Sequence, residues 1–247
     1  MLRIAFGIFV GIIFPVIVRA QISAKTESPK IEYTQSLPEL NNRALYATDL
    51  LIPAMGLSYG LASMHVGELS GFDRRIQSGL SNTNATQRIR IDDYMLYLPA
   101  IYGLGKSAFT ETGKARKRVF GSFLFSKCLQ YGTVYSAKRI IGRDRPDGSS
   151  NHSLPSGHTA EAFANAEFLR MYVGKEQPWV AVLGYLIAAG TGYLRIYNNR
   201  HWFSDVVAGA AIGYGSARLG SWSFDRVNLL LQQRKAASKQ VLEASSF

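Results

Sequence analysis

What most limits the fold of this chain is a series of apolar segments with small residues seeded through them, at 50–67, 94–105, 119–137, 159–173, 178–194 and 206–222. No run of alternating apolar and polar residues extends over any length, and no internal repeat is visible, so helices remain and a sheet does not. Gly184, Ala188, Gly192, Ala208, Gly209 and Gly213 would let helix backbones approach closely. The expected fold is all-α, a membrane-embedded helical bundle of about five to six core helices. Uncharged segments of seventeen or eighteen residues can reach across a bilayer. Five spans are expected, with 50–67 lying on the bundle rather than crossing, because Pro53 and Asp49 weaken it as a span. A buried bundle in a soluble protein is the competing reading.

The chain reads in four parts. Arg3, the apolar run 4–18 and the tripeptide Val18-Arg19-Ala20 suit a signal peptide over 1–20, cleaved before Gln21. Residues 21–43 read as a polar linker, 44–224 as the helical domain and 225–247 as a basic tail. Lys114, Arg116, Lys117 and Arg118 on one side, and Arg226, Arg234, Lys235 and Lys239 on the other, mark loops expected to stay in the cytoplasm. Counting spans from there puts the loops around Arg145, His158 and His201 together on the opposite, periplasmic face of a bacterial inner membrane. The net charge of +11 suits a surface that draws anions, whether phosphorylated head groups or the membrane itself. Export and apolar helices argue against nucleic acid as a partner, and no obligate protein partner is evident. A single cysteine, Cys128, excludes an internal disulfide framework and is expected to be buried.

Three short segments hold the chemistry. Lys138 is followed after six residues by Arg145-Pro146; then comes Pro155-Ser156-Gly157-His158; then Arg195, five residues, His201, three residues and Asp205. Two histidines and three fixed cations are the complement for phosphoryl transfer through an imidazole: a nucleophile, a proton donor for the leaving oxygen and counter-charges for phosphate. With a helix opening at Trp202, His201 and Asp205 would share one face, the carboxylate taking the Nδ1 proton and leaving Nε2 bare. The second segment reads as a tight turn into a helix starting near His158, aiming backbone N–H groups at an anion. Gly157 allows close approach, and the Ser156 hydroxyl can donate. Lys138 is expected at a helix end and Arg145 in a loop, the arginines gripping two oxygens each. Taken singly each segment has a plain alternative: a helix-start histidine, an ordinary Pro-Ser-Gly turn, a solvated basic run that includes Arg139 and Arg143.

At these residues the chain resembles the type 2 phosphatidic acid phosphatase superfamily, which also holds bacterial nonspecific acid phosphatases and vanadium haloperoxidases. The resemblance covers about Lys138 to Asp205. It implies that His201 is the nucleophile forming a phosphohistidine, Asp205 its partner and His158 the general acid. Lys138, Arg145, Ser156, Gly157 and Arg195 would bind phosphate, with no metal and no cofactor. One departure is Leu194, where the family usually has serine before the arginine. The implied substrate is a membrane lipid phosphate or pyrophosphate hydrolysed at the periplasmic face, with the lipid A 4′-phosphate leading and undecaprenyl pyrophosphate and phosphatidylglycerol phosphate open. A soluble periplasmic acid phosphatase is the alternative, and a haloperoxidase would use the same cradle for vanadate. His152 is expected at the pocket rim and His65 on a helix; Tyr193, Tyr197, Trp202 and Phe203 would shape a lipid-facing entrance or serve as core.

Overall fold

The computed structural model describes residues 45–82 and 88–244; the expected signal peptide and the linker lie outside them. Eight helices follow in order: α1 Ala47–His65, α2 Gly67–Leu80, α3 Asp92–Met95, α4 Leu98–Thr110, α5 Gly113–Ile141, α6 Gly157–Tyr172, α7 Pro178–Tyr197 and α8 Phe203–Ala244. Among the described residues there is no strand. The fold is all-α, as expected.

Helix α6 is the axis of the bundle. Ala160, Ala162, Phe163, Ala164, Ala166, Phe168 and Leu169 are all buried in it, so every face meets another helix. Helix α8 packs along α1, α5 and α6, while α7 closes the other side of α6. Glycines set how closely α8 approaches. A Cβ built at Gly213 would stand 2.2 Å from the Ala160 carbonyl oxygen, and one at Gly220 2.4 Å from the Ser126 backbone. No side chain fits at either place. Gly209 meets the Ser156 carbonyl oxygen in the same way, at 2.5 Å, which draws the start of α8 against the start of α6.

Local signals explain the ends. Ser156 caps α6, its hydroxyl accepting the Thr159 N–H at 3.4 Å. Helix α5 ends at Gly142, whose left-handed φ of 63° lets its N–H turn back to the Lys138 carbonyl at 3.3 Å. That turn places Lys138 and the Arg143–Ser153 loop beside the starts of α6 and α8.

Two helices are built inside out. Helix α5 buries Ser122, Ser126, Gln130 and Val134 and exposes Phe120, Leu124, Tyr131 and Tyr135. Helix α1 buries Asp49, Gly56, Gly60 and Ser63 and exposes Leu50, Leu51, Met55 and Leu61. Cys128 lies on this outer apolar face of α5 and is exposed, not buried as expected, because small and polar side chains take the inner positions where α8 comes close.

Other features add to the sequence reading. Helix α8 continues through 225–244, the stretch read as a tail, and Arg118 pairs with Asp225 at 2.8 Å where α5 and α8 meet far from His201. Helix α2 carries no apolar run and was not foreseen; it leaves α1 at a 95° bend. Five spans are not found by length and composition: among the described residues Pro178–Tyr197 alone suits a straight span, and α1 with α2 suits one broken span. Buried charges thin the apolar character of the others, Lys127 with Glu161 and Arg170 with Glu167 among them.

Candidate functional site

The loop between α7 and α8 aims His201. The Arg195 carbonyl, in the last turn of α7, accepts the N–H of Arg200 at 3.0 Å and of His201 at 3.3 Å, folding the chain back on itself. His201 then lies two residues ahead of α8 rather than on its face. The reason is the helix start: Asp205, in the first turn, reaches back to the Trp202 N–H at 2.9 Å, half of a capping box. Asp205 still meets the imidazole, with Oδ2 at 3.6 Å from Nδ1, an ion-pair separation longer than a hydrogen bond. Ser153 closes that gap. Its hydroxyl donates to Asp205 Oδ2 and stands 3.5 Å from His201 Nδ1.

A second row holds Asp205 in turn. Arg143 donates to Asp205 Oδ1 at 2.7 Å and to the Ser204 hydroxyl at 2.7 Å, while its other nitrogen reaches Asp73 of α2 at 2.8 Å. Asp73 also accepts the Ser204 N–H at 3.0 Å, and Ser204 accepts from Ser63 of α1 at 2.8 Å. His201, Asp205 and Ser153 are all shut away from solvent. Burial pushes the His201 imidazole down to about 4, with Lys138 and Arg195 adding to it and Asp205 opposing. At neutral pH the ring is uncharged. A neutral imidazole steered at Nδ1 has Nε2 available as a nucleophile.

On the other side stands the start of α6. Ser156 is buried; its N–H donates to the Asp205 carbonyl at 3.0 Å, and its hydroxyl pairs with the Thr159 hydroxyl at 2.8 Å. This welds the two histidine-bearing segments together. Around Gly157 a Cβ would meet only Val134 and Lys138 side-chain atoms, at 3.7 and 3.9 Å, so protein does not fill the space beside it. His158 follows in the first turn, and its Nε2 lies 2.9 Å from Asp93 Oδ1 on α3.

Three cations gather at the same end. Lys138, in the last turn of α5, donates to the His152 carbonyl and, at 3.4 Å, to that of Ser153. Arg145 sits in the loop and is held by its own N–H to the Ser150 carbonyl at 2.9 Å. Arg195 gives one nitrogen to Asp92 Oδ2 at 2.7 Å. Burial lowers the Arg145 guanidinium from its ordinary value, and the like charges of Arg200 and Arg195 lower it further, which records how closely the cations crowd. Both Arg145 Nε and Arg195 Nε are buried with no hydrogen-bond partner. Unpaired buried guanidinium donors are costly, and an oxyanion would satisfy them.

Every residue singled out from sequence therefore lies at one end of the bundle: Lys138, Arg145, Ser156, Gly157, His158, Arg195, His201 and Asp205. Sequence reasoning missed the groups that hold them. Arg143 was absorbed into a basic run, and Asp73, Asp92, Asp93 and Ser153 have no fixed spacing to their partners. Asp147 is another, accepting from Arg200 at 3.0 Å and Arg88 at 3.1 Å beside Arg145. His152 contributes its carbonyl to Lys138. Of the aromatics, Phe203 is core, edge-on to Tyr59 and Phe72, and Trp202 anchors the loop through its indole N–H on the Asp144 carbonyl at 2.9 Å.

Comparison with known proteins gives three findings. Residues 120–228 match the family model of the PAP2 superfamily. Over 140 residues the chain is 39% identical to a lipid A 1-phosphatase of Porphyromonas gingivalis, an alignment covering 56% of this chain and 32% of that protein. The chain thus spans about a third of the length of that relative. In fold it is similar to the crystal structure of a transmembrane PAP2 type phosphatidylglycerolphosphate phosphatase from Bacillus subtilis, with a TM-score of 0.52 and 22% identity over 73% of this chain and 97% of that one.

Proposed function

From the match of residues 120–228 to the PAP2 superfamily model we propose that the protein is a member of that superfamily, a membrane-embedded phosphatase that removes phosphate from a lipid through a phosphohistidine at His201. The observation that carries this reading is the pair of buried, unpartnered Nε donors on Arg145 and Arg195 beside a neutral histidine. Such a pair awaits an oxyanion, and the imidazole awaits an electrophile.

In the first step Nε2 of His201 attacks phosphorus while the bond to the leaving oxygen breaks and His158 gives that oxygen its proton. Lys138, Arg145 and Arg195 balance the equatorial oxygens. Asp205 and Ser153 stabilise the imidazolium that develops. In the second step His158 takes a proton from water, hydroxide attacks phosphorus, and the P–N bond breaks to return His201 and inorganic phosphate. No step requires a metal, and the reading includes none.

Membrane embedding rests on the outward apolar faces of α1 and α5, and Ile91, Tyr94, Leu98 and Ile101 are exposed as well, in the chain around Asp93. Helices that turn polar groups inward and apolar groups outward suit lipid as solvent. The basic residues near the Arg118–Asp225 pair lie at the opposite end from His201, which supports a site on the periplasmic face. The name of the Porphyromonas relative makes lipid A the first substrate to try, and its 1-phosphate stands ahead of the 4′-phosphate on that ground.

The test is phosphate release by detergent-purified protein in EDTA, with His201→Ala as control, on lipid A, undecaprenyl pyrophosphate, phosphatidylglycerol phosphate and an aryl phosphate. We expect one lipid to be preferred and His201→Ala to lose at least ~10³-fold in rate. Near-normal turnover by that variant refutes the covalent route. Equal or faster turnover of the aryl ester, with release from membranes by high salt, replaces the lipid reading by a soluble periplasmic acid phosphatase.

A further inference from the structure

We propose that Asp93 is the orienting carboxylate of the proton donor, so that Asp93–His158 forms a second carboxylate–histidine pair facing His201 and Asp205 across the phosphate site. The inference rests on the phosphatase reading above and deepens it by assigning which nitrogen of His158 moves the proton.

The geometry assigns the atoms. Nε2 of His158 lies 2.9 Å from Asp93 Oδ1, a good hydrogen bond, and among the described residues Nδ1 has no partner. With Nε2–H donating to the carboxylate, Nδ1 is the position that faces the reaction. As acid, His158 carries protons on both nitrogens and gives the Nδ1 proton to the departing oxygen, remaining neutral with Nε2–H on Asp93. As base, it recovers a proton at Nδ1 from the attacking water. The ring cycles between imidazolium and imidazole, and Asp93 stays a carboxylate throughout.

An exposed ion pair alone would carry little weight, since the side chains of His158 and Asp93 are 38% and 44% exposed. What distinguishes this one is the anchoring of the segment that presents it. Asp92, next in the chain, is buried and holds Arg195 at 2.7 Å. Asn198, just past the end of α7, clasps Ile89, accepting its N–H at 3.0 Å and donating to its carbonyl at 2.7 Å. Asn165 of α6 donates to the Leu96 carbonyl at 2.9 Å. A segment of eight residues, 89–96, is thus fixed at both ends and in the middle to the helices that bear His158 and Arg195, and Asp93 is its one side chain placed on the acid. Arg195 lies 3.7 Å from Asp93, so the same carboxylate tempers the cation next to His158.

The charged groups facing His158 are Arg195 from α7 and Asp92 and Asp93 from α3. Removing the Asp93 charge leaves the imidazolium beside Arg195 with less compensation, so it forms less readily. The alkaline limb of the rate profile, where the acid must still hold its proton, then moves to lower pH.

The experiment compares wild type, Asp93→Asn, Asp93→Ala, Asp93→Glu and His201→Ala in detergent, using kcat/KM for an aryl phosphate and for an alkyl phosphate. That constant reports the step that expels the leaving group. An alkoxide needs the proton far more than a phenoxide, so Asp93→Asn and Asp93→Ala should lose ~10- to 100-fold on the alkyl ester and only a few-fold on the aryl ester. Their alkaline limb should move down, and Asp93→Glu should recover part of the loss. An equal loss on both esters with an unmoved limb makes Asp93 merely structural and overturns the proposal. Wild-type behaviour of both variants, with His201→Ala inactive, overturns it while leaving the phosphatase reading standing. Turnover by His201→Ala removes that reading itself.

Discussion

The two histidines of the site are held in opposite ways. His201 is buried, reached by Asp205 and Ser153, and backed through Arg143 by Asp73 on another helix. His158 stands in a half-open first turn and touches one carboxylate on a four-residue helix. The difference matches the two tasks proposed for them. A nucleophile must meet phosphorus along one line and gains from a rigid, dry setting. A group that passes protons to an alkoxide and from water must face both, and gains from access. The contrast also teaches where each can fail: the His201 side through many shared contacts, the His158 side through one.

The largest blow to this contrast should come from Asp205→Asn. The amide cannot keep a negative charge beside the forming imidazolium, and it meets Arg143 and the Trp202 N–H less well. We expect kcat to fall ~10²- to 10³-fold, with KM changed far less, since Asp205 aids the developing charge and not ground-state binding. Rates read on a lipid and on an aryl phosphate should fall together, because no leaving-group proton is involved. A loss confined to the lipid would break the division of labour between the histidines.

A smaller effect is expected one row further out. Arg143→Met keeps most of the volume and removes the bridge from Asp205 to Asp73, leaving two buried carboxylates without their shared cation. Activity should fall about tenfold, and the melting temperature should drop as well. If melting is unchanged while activity falls, Arg143 acts on the site alone. If both are unchanged, the second row carries no weight and the rigid half of the comparison is wrong.

The residues proposed to touch phosphate were legible in the sequence because their spacing is local, within one turn, one cap or one loop. Ser156, Gly157 and His158 share a single helix start, and Arg195 to His201 is one loop closed by one carbonyl. Their supports were not legible, since Asp73, Asp92 and Asp93 come from far earlier in the chain and arrive through packing. Nothing in the run Ile91-Asp92-Asp93-Tyr94 announces that one aspartate will meet Arg195 and the next His158. The fold followed a similar division. Helical periodicity gave the bundle and the start of α8 to within a residue, but it misplaced Cys128, because the inner positions of α5 went to small polar residues where α8 comes close. Paired charges buried along α5, α6 and α8 lower the hydropathy of those helices, so by length and composition fewer of the described helices suit a straight span than the apolar segments suggested.

The finest test of the comparison is the titration of His201 itself. Its imidazole is pushed down to about 4, chiefly by burial, against about 6.5 for a free side chain. A folded value below the unfolded one means that the neutral ring is the form the fold prefers. Stability from this group is therefore complete above about 6.5, declines as the pH falls between about 6.5 and 4, and changes no further below that. Protein with carbon-labelled histidine, held in detergent, should give one ring resonance that is missing from His201→Ala and has its midpoint near 4. A midpoint at or above 6.5 would mean that water reaches the ring, or that Asp205 outweighs burial. The dry, neutral nucleophile would then give way to one that attacks only after losing a proton, and His201 would resemble His158 more than it differs from it.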